Sequence, residues 1–330
     1  YRSTDELRDA WSPREGETGL EGLREGESLE AGLPCPMRRG LFSRTHRYRM
    51  DVIRFLRETE AAYWKGMCDF LHDELGVQMP VGGTDVHRVT PHVAAETTDF
   101  LDTHAYWEHP RFPGKSWDRD NWVVRSLAMV NAPHRSSIAA IAGRRIFGVP
   151  FTLTEYNHPS PNRYQGEGWP LMAVYGSHQA WDGIFTFAYC HSTAWETDHF
   201  TGFFDITGHP VHLAVHPACS HILRNGAVEP PDKVITARLS FEERLRLLLY
   251  GTAQALAGEA DPASDTEGGP EAVNIYGAGV DRLAWQDALI GILQDEDVPP
   301  QRGLSRSEVQ WSIADDGRGL VSFRAPTCAG

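Results

Sequence analysis

Several things are scarce in this 330-residue sequence, and each scarcity narrows what the protein can be. Cysteine is scarce. Five residues (Cys35, Cys68, Cys190, Cys219 and Cys328) are scattered with no CxxC pair. That spacing gives no thiolate metal site, and they read as mostly buried free thiols that leave the redox compartment open. No HxH or HExxH cluster occurs, so neither a metal nor a cofactor is expected. Nowhere do eighteen apolar residues follow one another, so no membrane span is expected. Positive charge is in deficit: 31 Lys and Arg against 45 Asp and Glu leave a net charge of -14. Such a balance argues against nucleic acid or an anionic membrane as the partner. The opening YRSTDELRDAW reads neither as a signal peptide nor as a plausible start, since it begins without Met in a helical pattern, and any signal peptide is expected to lie upstream.

What is present is ordinary in bulk: 41% hydrophobic and 23% charged residues, as in a soluble globular protein with ample core. Ten Trp and 10% aromatics are on the rich side. Flat aromatic faces suit sugar rings, although core packing is the ordinary role of any single Trp.

Taken in order, residues 1–11 look like the end of a helical region, and 12–45 read as a long polar, Gly-rich excursion. The clearest helix runs from Arg47 to Leu75, with Val52, Phe55, Leu56, Tyr63, Met67, Phe70 and Leu71 recurring at three and four, and Gly76 stopping it. Strands are expected at 77–85, 99–107, from Phe151, and at 183–189. Between them fall a short helix capped by Ser137, a helix with Pro170 in its first turn, and a closing helix over 211–223. Strands alternating with helices imply a parallel sheet. After Asn225 the character changes. Ser240-Phe241-Glu242-Glu243 is a capping box opening a helix, GEADPASDTEGGPEA is a low-complexity linker, and the tail reads as a β-hairpin. The expected organisation is 1–46 as helix end and loop, 47–225 as an α/β region, and 226–330 as a helix, a linker and the start of a β-rich domain.

The centre of the sequence is PFTLTEYNHPSPNRY, Pro150 to Tyr164. Phe151 to Thr154 suit a buried strand, and Glu155 to His158 then arrive where Pro-Ser-Pro-Asn stops it. A carboxylate at the end of a buried strand is how α/β enzymes place reactive groups at the mouth of a sheet. The structural alternative is a solvated or Arg-paired strand-end Glu.

The strand ends together carry Thr84 and Asp85, then His104, Tyr106 and Trp107, then Glu155 and Asn157, then Trp195. The order THAYW, TEYN about fifty residues later, then WDGIFTFAY resembles the last four βα units of clan A glycoside hydrolases, the retaining (β/α)8-barrel enzymes that include cellulase-like family 5. The resemblance covers about residues 47–225. It implies a partial (β/α)8 TIM barrel, Glu155 as nucleophile at the end of the seventh strand, and His104 and Tyr106 supporting it from the sixth. Trp195 is the implied aromatic floor of the sugar site, and Trp107, Asn157 and Asp85 are further candidate substrate contacts. Retaining hydrolysis takes two carboxyl groups about 5–5.5 Å apart, one a nucleophile and one an acid then base. The expected partner is an oligo- or polysaccharide with β-linkages, and from that substrate class the expected compartment is extracellular or periplasmic.

The sequence departs from this pattern at one point. The clan's acid/base follows an Asn at the end of the fourth strand, and no Asn-Glu dipeptide occurs here. The expectation is therefore a fragment whose first four βα units, acid/base included, lie upstream. Glu167 and Glu196 are loop carboxylates that read as solvated or as substrate ligands, not as the acid/base. Two other readings remain: a non-catalytic carbohydrate-binding barrel protein, and a different barrel enzyme in which Glu155 is a base or metal ligand.

Overall fold

The computed structural model describes residues 1–30, 32, 40–83, 91–193, 195–199, 201–258, 284–285, 288–294, 299–300 and 304–330. Its contacts form two compact units, Tyr1–Val77 with Ser240–Pro262 and Gln78–Leu239 with Ala263–Gly330. These limits fall elsewhere than the breaks expected near 46 and 225.

The first unit is helical: α1 (Thr4–Trp11), α2 (His46–Asp69) and α7 (Phe241–Gly258). Thr45 caps α2, accepting from the Tyr48 amide, and its own hydroxyl donates to the Trp11 carbonyl at 2.9 Å. Ser240 and Glu243 make the expected capping box at the head of α7. Leu7, Trp11, Tyr48, Ile53, Leu245 and Leu249 form its buried core. The expected apolar stripe of α2 is only partly buried, since Phe55, Tyr63 and Phe70 are exposed. Among the described residues, the α2 side chains buried with those of α1 and α7 are Tyr48, Met50, Val52 and Ile53 of its first turns, with Leu56 partly buried beside them.

The second unit is mixed α/β. Strands β1 (Leu101–Tyr106), β2 (Phe151–Asn157) and β3 (Gly183–Thr186) form a parallel sheet in the order β1-β2-β3. Helix α3 (Pro91–Thr97) precedes β1, helices α4 (Ser137–Ala142) and α5 (Gln165–His178) lie in the two connections, and α6 (Pro210–Arg224) follows β3. This is the strand–helix alternation read from the sequence. The strand expected at 77–85 survives in the described residues only as a single parallel bridge from Gly82 to Phe100. A Cβ at Gly82 would stand 2.4 Å from the Phe100 ring, so this approach needs glycine. Ser136, not Ser137, caps α4, and Ser137 instead donates to the Tyr106 carbonyl. Pro170 lies inside α5, not in its first turn, because the helix already begins at Gln165.

The core-facing side of the sheet is apolar: Leu101, Phe151, Leu153 and Tyr156 are buried, as are Ile138 and Ile141 of α4. Burial of such side chains contributes roughly 1.5–3 kcal/mol each.

The C-terminal part holds a parallel pair that the sequence reading missed, β4 (Lys233–Arg238) with β5 (Ala288–Leu293). All six residues of β5 are buried. Its second edge bridges Ile146 through Ile292, and Gln179 accepts from the Ile290 amide while donating to the Ala288 carbonyl. Trp285 is fully buried, donating to Ser136 and accepting from Tyr175. Ala284, Trp285 and Ala288–Leu293 are therefore core of this unit. The hairpin expected at the C-terminus is present as β6 (Glu308–Ile313) and β7 (Gly319–Arg324), paired antiparallel. The expected linker falls almost wholly outside the described residues.

Candidate active site

The sheet's other face is polar, and a register break organises it. Asp102, His104 and Tyr106 alternate along β1 and so share one face. On β2, Thr103 pairs with Leu153 but His104 pairs with Glu155, so Thr154 is an extra residue. A bulge of this kind re-aims the side chains around it. Glu155 consequently joins Thr152 and Thr154 on the face of His104 instead of alternating away from it.

The result is one connected cluster. The Tyr106 hydroxyl donates to Glu155 Oε2 at 2.6 Å. His104 Nδ1 lies 3.3 Å from the same oxygen, and His104 Nε2 lies 3.1 Å from Thr154 Oγ1 and 3.3 Å from Asp102 Oδ2. Asp102 also accepts from the Thr152 hydroxyl and the Thr154 amide, both at 3.0 Å, and from the Thr154 hydroxyl. The Glu155 side chain is 29% exposed and that of Asp102 only 11%, so solvent or a ligand reaches Glu155.

Electrostatics follow from these contacts. Burial pushes the Tyr106 hydroxyl up, and the adjacent Glu155 carboxylate pushes it further, so Tyr106 keeps its proton and acts as a donor. Burial alone would raise Asp102, yet hydrogen bonds from His104, Thr154 and Thr152 together with the His104 charge hold it below the usual carboxylate range. Asp102 is therefore a poor proton donor at neutral pH and does not fill the acid/base role.

Aromatic rings wall the cluster. Tyr106 stacks on Phe204 with centroids 4.5 Å apart, and Phe187 meets both edge-on. Rings continue through Phe203 to Trp122 and to Trp117, which is 60% exposed. In the loop after β3, buried Asp205 orients His191 through its Nδ1.

The expected site residues divide accordingly. Glu155, His104 and Tyr106 are brought together. Asn157 and Trp107 are not on an open surface. Asn157 is buried and donates to the carbonyls of Phe187 and Phe204, at 2.8 and 2.6 Å. Trp107 is buried and donates to the Leu127 carbonyl. Both are structural because later segments fold over the strand ends, Phe187 and Phe204 over Asn157 and Leu127 over Trp107. Trp195 is 62% exposed, and Asp85 lies outside the described residues. Glu167 is not a free loop carboxylate; it sits in the first turn of α5, accepts from the Met129 amide and faces His158. The sequence reading missed Asp102 and Thr154. The alternation Asp102-x-His104-x-Tyr106 would have flagged the first, and nothing local flags the second.

This chain matches no family model, no curated protein and no solved structure. Among the described residues no group of three or more His, Cys, Asp or Glu is arranged to hold a metal ion, and no helix is long and apolar enough to cross a membrane.

Proposed function

We propose that Glu155 is the nucleophile of a retaining glycoside hydrolase site acting on a β-linked glycan, and that β1, β2 and β3 are consecutive strands of a (β/α)8 barrel. The observation that carries this reading is the Tyr106 hydroxyl donating at 2.6 Å to a partly exposed Glu155 at the C-terminal end of the neighbouring parallel strand, with His104 on the same oxygen. Catalytic groups of (β/α)8 barrels sit at that end of the strands. A nucleophilic carboxylate must stay ionised, and a donated hydrogen bond favours the charged form. The sequential order β1-β2-β3 with helical connections also supports the barrel.

Double displacement requires a second carboxyl about 5–5.5 Å from Glu155, and Asp102 does not serve as that acid. The test should therefore bypass the acid. Dinitrophenyl 2-deoxy-2-fluoro-glycosides of the gluco and manno series carry a leaving group that departs without protonation. They are expected to add one glycosyl mass to the chain, at Glu155, and Glu155→Gln should abolish the adduct. Absence of labelling with every sugar would overturn the proposal. The exposed faces of Trp117 and Trp195 favour a second reading, a non-catalytic carbohydrate-binding protein. Retention on a glycan without labelling would support it.

A further inference from the structure

We propose that Asp102 is a positioning residue that holds His104 as the doubly protonated imidazolium facing Glu155.

The argument is a count of hydrogens. The closest contact of the Thr154 hydroxyl is to Asp102 Oδ2, and an ionised carboxylate only accepts. The hydroxyl hydrogen is spent there. Thr154 Oγ1 can then only accept from His104 Nε2 at 3.1 Å, so Nε2 carries a proton. On the other side of the ring, Nδ1 stands 3.3 Å from Glu155 Oε2, which already accepts from Tyr106. A bare Nδ1 would set two acceptors against each other, and a proton on Nδ1 removes the conflict. His104 is then a cation between two carboxylates.

The structural alternative is that Asp102 merely caps the bulge. Oδ1 does serve that purpose, taking the Thr154 amide that the register break removes from the ladder, and the Thr152 hydroxyl. Capping does not require Oδ2, which is the oxygen turned to Thr154 Oγ1 and, at 3.3 Å, to His104 Nε2. Among the described residues, the charged and titratable groups facing His104 include Asp102 and Tyr106 from its own strand and Glu155 from β2. Removing Asp102 takes away one of the two described carboxylates that hold the ring's charge. The shared proton then passes more readily to Glu155 or to solvent.

This holds whether or not Glu155 attacks a sugar, so failure of glycoside labelling leaves it standing. The experiment is a pH titration of the full chain with 15N-labelled histidine, His104 being assigned by comparison with His104→Gln. Both ring nitrogens of His104 are expected to be protonated at pH 7, with loss of the second proton only as pH rises further. In Asp102→Asn the midpoint should fall by about one to three pH units, the size of shift a close opposite charge produces. In Asp102→Glu, which keeps the charge, it should stay near the wild-type value. A neutral His104 at pH 7 in the wild type overturns the proposal, and so does an Asp102→Asn titration that superimposes on it. Should Asp102→Asn fail to fold, the wild-type titration alone decides.

Discussion

Two groups of histidines in the α/β unit show how neighbours decide the state of one side-chain type. His104 lies on the open polar face of the sheet, between Asp102 and Glu155. His158, His209 and His212 are buried on the far side of the Glu155 strand end, where β2 meets α5 and α6. There a neutral group meets one nitrogen of each ring, although Glu167 also faces His158 Nε2 at 3.5 Å. His212 Nδ1 accepts from the Trp169 indole at 2.8 Å, His158 Nδ1 faces the Tyr156 hydroxyl at 2.9 Å, and His209 Nε2 faces Gln165. Burial lowers all three. For His212, burial and then the neighbouring His209, His158 and His216 push it down to about 3. For His158, the facing Glu167 opposes the burial without overcoming it. Two carboxylates hold a proton on the open histidine; desolvation and indole or hydroxyl partners keep it off the closed ones. The former arrangement is suited to chemistry, the latter to packing.

The largest effect that would break this contrast is acid destabilisation by the closed group. A histidine whose folded value lies below its unfolded value of about 6.5 stabilises the fold above that pH and loses this contribution as pH falls. The unfolded chain binds the extra protons, so stability should drop by up to about 1.4 kcal/mol per pH unit for each such group. Urea midpoints measured between pH 6.5 and 5, above the ordinary carboxylate range, should decline. A flat profile would mean that these histidines are not buried in the neutral form.

A smaller effect sharpens the open side. Tyr106→Phe keeps the ring on Phe204 and removes only the hydroxyl on Glu155. A hydrogen bond to a charged group is worth about 1.5–3 kcal/mol, so fluoroglycoside labelling should slow by about 10–100-fold. An unchanged labelling rate would remove Tyr106 from the site.

The smallest effect belongs to the closed side. Trp169→Phe deletes the indole donor to His212 and should lower stability at pH 7 by about 1–3 kcal/mol, the usual cost of an unpaired buried acceptor. Labelling of Glu155 should be unaffected. A loss of labelling with no change in stability would reverse the assignment of the two groups.

Much of the α/β unit was legible because its signals are local. Phe151 to Asn157 is a strand by composition, with its stop in the Pro-Ser-Pro-Asn that follows. The capping box at Ser240 and the alternation in the final hairpin are equally short-range. Of the site, Glu155, His104 and Tyr106 were readable because strand ends in alternating α/β chains converge. Asn157 and Trp107 were misplaced, since exposure depends on what folds over them: the carbonyls of Phe187 and Phe204 reach Asn157 from residues far along the chain. The β4–β5 pair was missed because its strands lie more than forty residues apart. Pairing at that distance has no pattern within a short window.

By itself, the sequence determined β1 to β3, the final hairpin, most of the helices and which strand ends carry polar groups, because propensity, caps and turn chemistry act over a few residues. Only the tertiary structure decided that Thr154 is skipped in the pairing of β1 with β2. A strand's side chains alternate, so register settles which face each one joins. The single skipped residue puts Glu155 beside His104 and Tyr106 instead of among the core-facing side chains, and it leaves the amide that Asp102 binds.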